Sequence, residues 1–318
     1  MNILVVDPVH QILLDRLQEK GHTVSYRPDI EKDQILREIP AYEGIVLRSK
    51  LKIDRELLDR ARALRFIGRV GSGMENIAVG LARQKNIICL NSPEGNRHAV
   101  GEHALGLLLA MINKVPLANY QVKAGHWDRQ ANRGSEIMGR NIGIIGYGHT
   151  GSAFAEKLAG LGASVMAYDK YKFNYAGAHV QEKTLEALFD QADVLSLHVP
   201  LTSETRYMVD ESFWKRFRKP LMLINTSRGE VIKTSDLVKQ LEKGKVQAAA
   251  LDVLEYESKT FENLHQQKDL PASFSKLTQM DQVILTPHVA GWTHESFRKV
   301  AEIIANKILH HFGASDPH

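Results

Sequence analysis

One cysteine, Cys89, occurs in 318 residues, so no internal disulfide can form and the fold must rest on burial, as expected in a reducing compartment. Cys89 lies in the apolar run that ends at Leu90 and reads as a buried structural thiol. Long hydrophobic runs are missing too: no stretch of about eighteen apolar residues offers a membrane helix. The N-terminal MNILVVDP enters an apolar strand without a basic leader or cleavage site. The expectation is a cytoplasmic protein with no membrane partner. Charge of one sign is scarce: 41 Lys plus Arg face 37 Asp plus Glu, and the cations are scattered rather than gathered into a tract. That pattern gives no footprint for nucleic acid and is compatible with a small anionic substrate. There is no low-complexity segment and no short internal repeat.

What is present is alternation. Short apolar runs of strand length alternate with longer amphipathic stretches throughout, the signature of parallel sheets covered by helices, and the fold class is therefore α/β. The first third supplies candidate strands at Ile3–Val6, Thr23–Tyr26, Gly44–Leu47, Phe66–Arg69 and Ile87–Cys89, with a helical stretch at Gln11–Lys20. A long helical stretch follows at Ala99–Ile112, then strands at Ile142–Ile145, Ser164–Tyr168, Val194–Leu197, Leu221–Ile224, Gln247–Leu251 and Val283–Leu285. A chain of 318 residues is comfortable for two domains, and the change falls near Arg97. The last amphipathic stretch, Glu295–His311, has no strand after it and is expected to return to the first domain. This gives a discontinuous domain of residues 1–97 and 289–318 around an inserted domain of residues 98–288. The polar stretch from Glu257 to Met280 reads as loop.

Residues 141–169 read NIGIIGYGHTGSAFAEKLAGLGASVMAYD. An apolar strand runs into Gly146, Gly148 and Gly151, then a helix, then a second strand ending in Asp169. Each part has a reason: Gly146 permits a tight turn, Gly148 admits a pyrophosphate close to the backbone, and Gly151 lets helix pack on strand. The helix N-terminus offers unpaired N–H donors to the anion. Asp169 is placed for the adenosine ribose hydroxyls and repels a 2′-phosphate, so the cofactor expected is NAD, although Lys170 and Lys172 follow closely.

In open α/β sheets ligands bind outside the carboxyl ends of the strands. Arg228 follows LMLINTS, Glu257 comes soon after AAALDV, and His288 follows VILTP. A histidine can take a hydroxyl proton while C2 is oxidised, a carboxylate partner would hold its ring, and an arginine offers paired donors to a substrate carboxylate and forming carbonyl. The bland reading of each is a solvated loop residue, and His198, which closes VLSLHVP, is a rival among fourteen histidines.

Taken with LRSKLKID (47–54), IGRVGSGMENI (67–77), NSPEGNRHAVGEHALGLLL (91–109), INTSRGEVI (224–232), AALDVLEYE (249–257) and TPHVAGWT (286–293), these motifs resemble the D-isomer-specific 2-hydroxyacid dehydrogenases over essentially the whole chain. The resemblance implies two doubly wound, Rossmann-like domains, the NAD-binding one inserted into a flavodoxin-like substrate domain, with no metal and with dimers formed through the nucleotide domain. It makes Arg228, Glu257 and His288 the catalytic set, with His288 exchanging the proton. It also implies NAD contacts from Ser72, Val100, His149, Thr150, Asp169, Val199, Pro200, Thr226, Ser227, Asp252 and Gly291.

Within the family the chain is most similar to members that oxidise 3-phosphoglycerate on the way to serine. Backbone N–H groups of Val70, Gly71, Ser72 and Gly73 suit the substrate carboxylate, with Ser49 and Asn96 nearby in the matching motifs. Arg48, Arg69 and Arg129 match phosphate-binding arginines, the last reaching from a neighbouring subunit. The same motifs leave open glyoxylate, hydroxypyruvate or D-lactate as substrate, and also an NAD-sensing corepressor. The sequence departs from the family pattern at Ser258, commonly proline, in the long connection to His288, and at Trp292, where smaller residues are frequent and which either narrows the substrate pocket or packs against the hinge, packing being the favoured reading. The absence of a C-terminal serine-sensing domain after the last helix leads to the expectation that serine does not inhibit.

Overall fold

The computed structural model describes residues 1–257 and 270–313. They divide into two compact units, residues 1–96 with 292–313 and residues 97–257 with 270–291. In chain order the first unit opens with β1 (Asn2–Val5), α1 (Gln11–Glu19), β2 (Thr23–Tyr26), α2 (Lys32–Glu38), β3 (Gly44–Leu47), α3 (Arg55–Arg60), β4 (Phe66–Arg69), α4 (Val79–Gln84) and β5 (Ile88–Asn91). The second unit runs through α5 (Arg97–Ile112), α6 (Val115–Lys123), β6 (Asn141–Ile145), α7 (His149–Leu158), β7 (Ser164–Tyr168), β8 (Gln181–Glu182), α8 (Leu185–Gln191) and β9 (Val194–Leu197). It ends with α9 (Glu211–Lys215), β10 (Leu221–Asn225), α10 (Thr234–Glu242), β11 (Val246–Leu251), α11 (Ala272–Leu277) and β12 (Val283–Leu285). The chain then re-enters the first unit as α12 (His294–Phe312).

The first sheet has the order β2-β1-β3-β4-β5, all parallel, which is the flavodoxin-like arrangement. Its central strands are apolar on both faces because helices cover both, and β3 is buried at every residue. Gly44 has to be glycine for packing: a Cβ there would lie 2.3 Å from the Phe66 ring. Helix α12 completes this unit. Thr293 caps it in a reciprocal box with Ser296, and Val300, Ala301, Ile304, Ala305 and Ile308 form the buried stripe that packs on α1, β4 and β5. Ile304 and Ile308 are fully buried, and each such side chain contributes about 2 kcal/mol of hydrophobic stabilisation.

The second sheet has the order β12-β11-β10-β9-β6-β7-β8, again parallel throughout. Counted from β6 this is the doubly wound dinucleotide order with one strand added at the far edge, and the order reverses at β6 beside β9. Its core gathers Leu195, Leu197, Leu223, Trp214 and Leu237 on one side of the sheet and Ile142, Ile144, Phe154, Val194 and Ile224 on the other.

Three expectations need correction. Two-residue β8 makes seven strands where six were expected, and Gln181–Glu182 carries no apolar signal that could reveal it. The stretch read as loop from Glu257 to Met280 contains α11, whose Phe274 and Leu277 are buried in the second core, while residues 258–269, including Ser258, lie outside the described residues. Cys89 is only partly buried at the edge strand β5, and burial raises its thiol above the ordinary range.

Candidate active site

In the second unit the carboxyl ends of β10, β11 and β12 lie side by side, and the three residues expected to carry chemistry follow them. His288 Nδ1 and Glu257 Oε1 are 2.9 Å apart. The other carboxylate oxygen of Glu257 accepts the backbone N–H of Leu254 at 3.3 Å, so both oxygens are oriented. Arg228 precedes Gly229, where a Cβ would fall 1.9 Å from the Leu254 carbonyl carbon. Only a glycine lets the loop after β10 press directly on the loop that carries Glu257. The Arg228 guanidinium itself donates to the Ser227 carbonyl at 2.7 Å.

His288 sits at φ 54°, a left-handed conformation for a non-glycine residue that costs about 1–3 kcal/mol and persists only where its surroundings over-determine it. Asp252, buried at the end of β11, does so. Its carboxylate accepts from Val289 N at 2.9 Å, Ala290 N at 2.8 Å and Thr286 Oγ1 at 2.5 Å, while its carbonyl accepts from His288 N at 2.8 Å. His103 of α5 joins the network, its Nε2 lying 3.1 Å from Thr286 Oγ1 and 3.4 Å from Asp252 Oδ1. Asp252 was expected only as a cofactor contact, and the single local signal for His103 is the polar Glu102-His103 pair within the largely apolar run that follows His98.

At the other end of the reversal, Gly146 has φ 93°, and a Cβ on it would meet the His198 carbonyl oxygen at 2.5 Å. A Cβ on Gly151 would lie 2.0 Å from the Gly146 carbonyl oxygen, whereas Gly148 faces open space. Gly148 is the N-cap of α7 with no side-chain cap, and His149 and Thr150 begin the helix. The turn thus presents helix N–H groups beside a clear approach, which fits a pyrophosphate. Asp169 accepts from Tyr147 N at 2.8 Å, Tyr171 N at 2.9 Å and Lys172 N at 3.0 Å, fixing its carboxylate against the turn. Both following lysines are engaged: Lys170 with Glu204 at 2.9 Å, and Lys172 with the Tyr147 carbonyl at 3.2 Å.

Among the remaining expected cofactor residues, Val100 is buried in α5, Val199 stands 3.1 Å from where a Gly146 Cβ would be, and Pro200 is exposed after β9. Ser227 bonds to Asn225, and the buried hydroxyl oxygen of Thr226 has no hydrogen-bond partner among the described residues. An unmatched buried oxygen just past a strand end is consistent with a site completed by a ligand. Gly291 closes the unit. His198, the rival histidine, is wholly buried and bonded to Ser196 Oγ at 2.8 Å and Thr150 Oγ1 at 3.2 Å; burial pushes its pKa down to about 3, so it is a neutral packing residue.

The first unit holds the expected substrate residues. Val70 N donates to Leu47 O at 2.9 Å and Gly71 N to Ser92 Oγ at 3.0 Å, so these two N–H groups are committed within the fold, contrary to the expectation that the whole turn serves a carboxylate. Ser72 and Gly73 N–H remain unmatched among the described residues. Ser72 Oγ donates to Asn96 Oδ1 at 2.8 Å, and Arg69 folds back over Gly71. Arg48 and half-buried Ser49 follow β3, with the Arg48 backbone N–H held by Asp7 at 2.5 Å. Trp292, for which pocket-narrowing and packing were both open, is 60% exposed, and the Arg48 guanidinium lies over its ring at 4.1 Å. Arg129, in the second unit, is exposed beyond α6 without a polar partner among the described residues.

Residues 105–290 match the family described as D-isomer specific 2-hydroxyacid dehydrogenase, NAD binding domain. The chain belongs to this family. Its members are NAD-dependent oxidoreductases acting on a CH–OH group. It is 33% identical to a D-3-phosphoglycerate dehydrogenase of Archaeoglobus fulgidus over 97% of this chain and 57% of that one. It is 32% identical to a hydroxypyruvate reductase of Thermotoga maritima over 97% of both. The chain thus spans little more than half the length of the phosphoglycerate dehydrogenase it matches. A solved structure of D-lactate dehydrogenase with NAD+ from Lactobacillus jensenii superposes with a TM-score of 0.79 at 27% identity, covering 99% of this chain and 100% of the other. Among the described residues no helix is long and apolar enough to cross a membrane, and no three His, Cys, Asp or Glu side chains group as a metal site.

Proposed function

We propose that this family member oxidises a D-2-hydroxy acid with NAD, and that the acid is 3-phospho-D-glycerate, yielding 3-phosphohydroxypyruvate for serine biosynthesis. The observation that carries the chemistry is the 2.9 Å pair of His288 Nδ1 and Glu257 Oε1 in the unit that also holds the glycine turn. When bound, NAD supplies the two-electron acceptor for the C2–H bond. Glu257 fixes the imidazole tautomer and orientation, His288 takes the C2 hydroxyl proton through Nε2, and Arg228 binds the carboxylate and polarises the forming carbonyl. The clear approach at Gly148, the α7 N-terminus, Asp169 and Thr226 would hold the dinucleotide.

The first unit is the substrate unit in this reading, with Ser72 and Gly73 N–H toward the carboxylate and Arg48 and Arg69 toward the phosphate. Arg48 supports the phosphate reading because its guanidinium meets aromatic faces and, among the described residues, makes no hydrogen bond or ion pair. Arg129 would act from a second copy of the chain. Pairing through the second unit is supported by α6, which buries no residue, and by exposed Tyr120, Val122, Trp127 and Met138 around it.

A hydroxypyruvate reductase reading stands beside this one because 33% and 32% identity do not separate the two named relatives. Steady-state assay of 3-phosphoglycerate with NAD beside hydroxypyruvate and glyoxylate with NADH decides between them. The expected result is the highest kcat/KM for the phosphorylated acid, lost on Arg48→Ala or Arg129→Ala. Preference for glyoxylate with both variants unimpaired overturns the phosphate reading, and tight NAD binding without turnover of any acid favours a nucleotide-sensing protein.

A further inference from the structure

The Arg48 guanidinium is held in an unusual way within the first unit. Its carbon lies 4.1 Å from the centroid of the Trp292 ring and 5.4 Å from that of Phe297. The two rings are 6.0 Å apart and inclined at 52°, and Phe297 also meets the His10 ring at 5.9 Å, edge to face. No hydrogen bond or ion pair to protein engages the guanidinium nitrogens among the described residues. Its neighbouring acid, Asp7, is occupied by the Arg48 backbone N–H. The cation is therefore partly desolvated, seated over aromatic faces, and left with its planar fork of donors unmatched among the described residues; burial lowers its pKa while Asp7 opposes the shift.

Trp292 contacts Arg48 and Phe297 from the entry to α12. It is 60% exposed, so it contributes little to a core, and it immediately precedes Thr293, whose capping box fixes where α12 begins and hence where the ring projects. Phe297 lies on the first turn of the same helix. One helix start thus supplies both aromatic faces, four residues beyond His288 in the chain.

We infer that Trp292 is a specificity-determining positioning residue: with Phe297 it forms an aromatic shelf that preorganises Arg48 for the anionic group of the substrate distal to C2. The inference rests on the substrate reading above. A guanidinium held over aromatic rings with no protein acceptor keeps its N–H donors for the ligand and loses little rotamer freedom on binding, so removal of the shelf weakens binding of the acid and leaves the proton-transfer chemistry in place.

The test uses the full chain with Trp292→Ala, Trp292→Leu and Trp292→Phe, each alone and combined with Arg48→Ala, after melting curves show which variants fold. For 3-phosphoglycerate, Trp292→Ala and Trp292→Leu should raise KM by about 5- to 30-fold, the scale of a desolvated cation–π contact. The effect should fall on KM of the acid and not on kcat or KM of NAD. Trp292→Phe should restore most of the affinity, and in the Arg48→Ala background the Trp292 substitutions should add nothing. Wild-type behaviour of Trp292→Leu overturns the proposal, since apolar bulk would then suffice; so does an equal effect with Arg48 already removed. The Phe and Leu variants decide even if the Ala variant does not fold. If the wild type prefers an unphosphorylated acid, the phosphate reading falls and the shelf is judged on that acid's KM. If phosphoglycerate is turned over and the Trp292 variants are unchanged, only the shelf falls. Calorimetric titration of 3-phosphoglycerate into each variant reads the same difference without turnover, and a wild type that binds no acid overturns both.

Discussion

Each unit of this chain carries a glycine turn at the carboxyl edge of a parallel sheet, and the two turns differ in what they offer an anion. After β6, Gly146 to Gly151 lead straight into α7, so the backbone itself presents donors and a helix N-terminus, with Gly148 keeping the approach clear. After β4, the Val70–Gly73 turn does not start a helix; Val70 and Gly71 spend their N–H groups on Leu47 and Ser92, and Arg69 covers Gly71. Positive charge there comes from side chains, above all Arg48 on its aromatic shelf. A backbone cradle suits a cofactor shared by a whole family, because any side chain can surround it. A side-chain cation can be changed one residue at a time, which in the proposed reading makes Arg48 the place where substrate choice is tuned.

Four experiments break or sharpen this contrast. The largest effect belongs to neither turn: His288→Ala should lower kcat by about 10²- to 10⁴-fold with NADH affinity unchanged in a fluorescence titration. Loss of NADH binding together with turnover would show that the two functions are not separable. Next, Arg48→Ala should raise KM of the phosphorylated acid about 10- to 100-fold, the scale of charged hydrogen bonds, and leave NADH affinity alone. Conversely, Gly146→Ala places a Cβ 2.5 Å from the His198 carbonyl oxygen at φ 93°. It should weaken NADH binding by about tenfold and destabilise the chain by about 1–3 kcal/mol; a shift in acid KM alone would invert the contrast.

The smallest effect is a pH dependence confined to the second unit. His198 titrates at about 3 in the fold because burial disfavours its charge, against the ordinary 6.5 when unfolded. The unfolded chain therefore takes up a proton there first. The stabilisation from keeping this ring neutral is fully present above pH 6.5 and is lost as pH falls toward 3. Urea unfolding at pH 7.5 and 5.5 should show a loss of about 1 kcal/mol across that interval that His198→Asn removes. An identical slope in the variant would mean that another group carries it.

How much of this was legible beforehand follows from signal strength. Strands such as Gly44–Leu47 and Ser164–Tyr168 were readable to the residue because parallel strands buried on both faces are largely continuous apolar runs. Two-residue β8 is polar and held by its neighbour β7, so nothing local announced it. The glycine turn was readable because each glycine answers a backbone requirement that recurs wherever a strand feeds a helix. The His103 contact to Asp252 and Thr286 joins residues about 150 to 180 positions apart, and no spacing encodes it.

The sequence by itself determined the α/β class, the dinucleotide turn and a short set of candidate residues, because periodicity and glycine placement are local consequences of backbone geometry. Only the tertiary structure buried His198 as a neutral ring and set Glu257 beside His288, gave Asp252 the task of holding the His288 loop, and put the Trp292 ring over the Arg48 guanidinium. Those outcomes depend on which distant side chains share a space and how much water they lose there, and neither quantity is a property of any one stretch of chain.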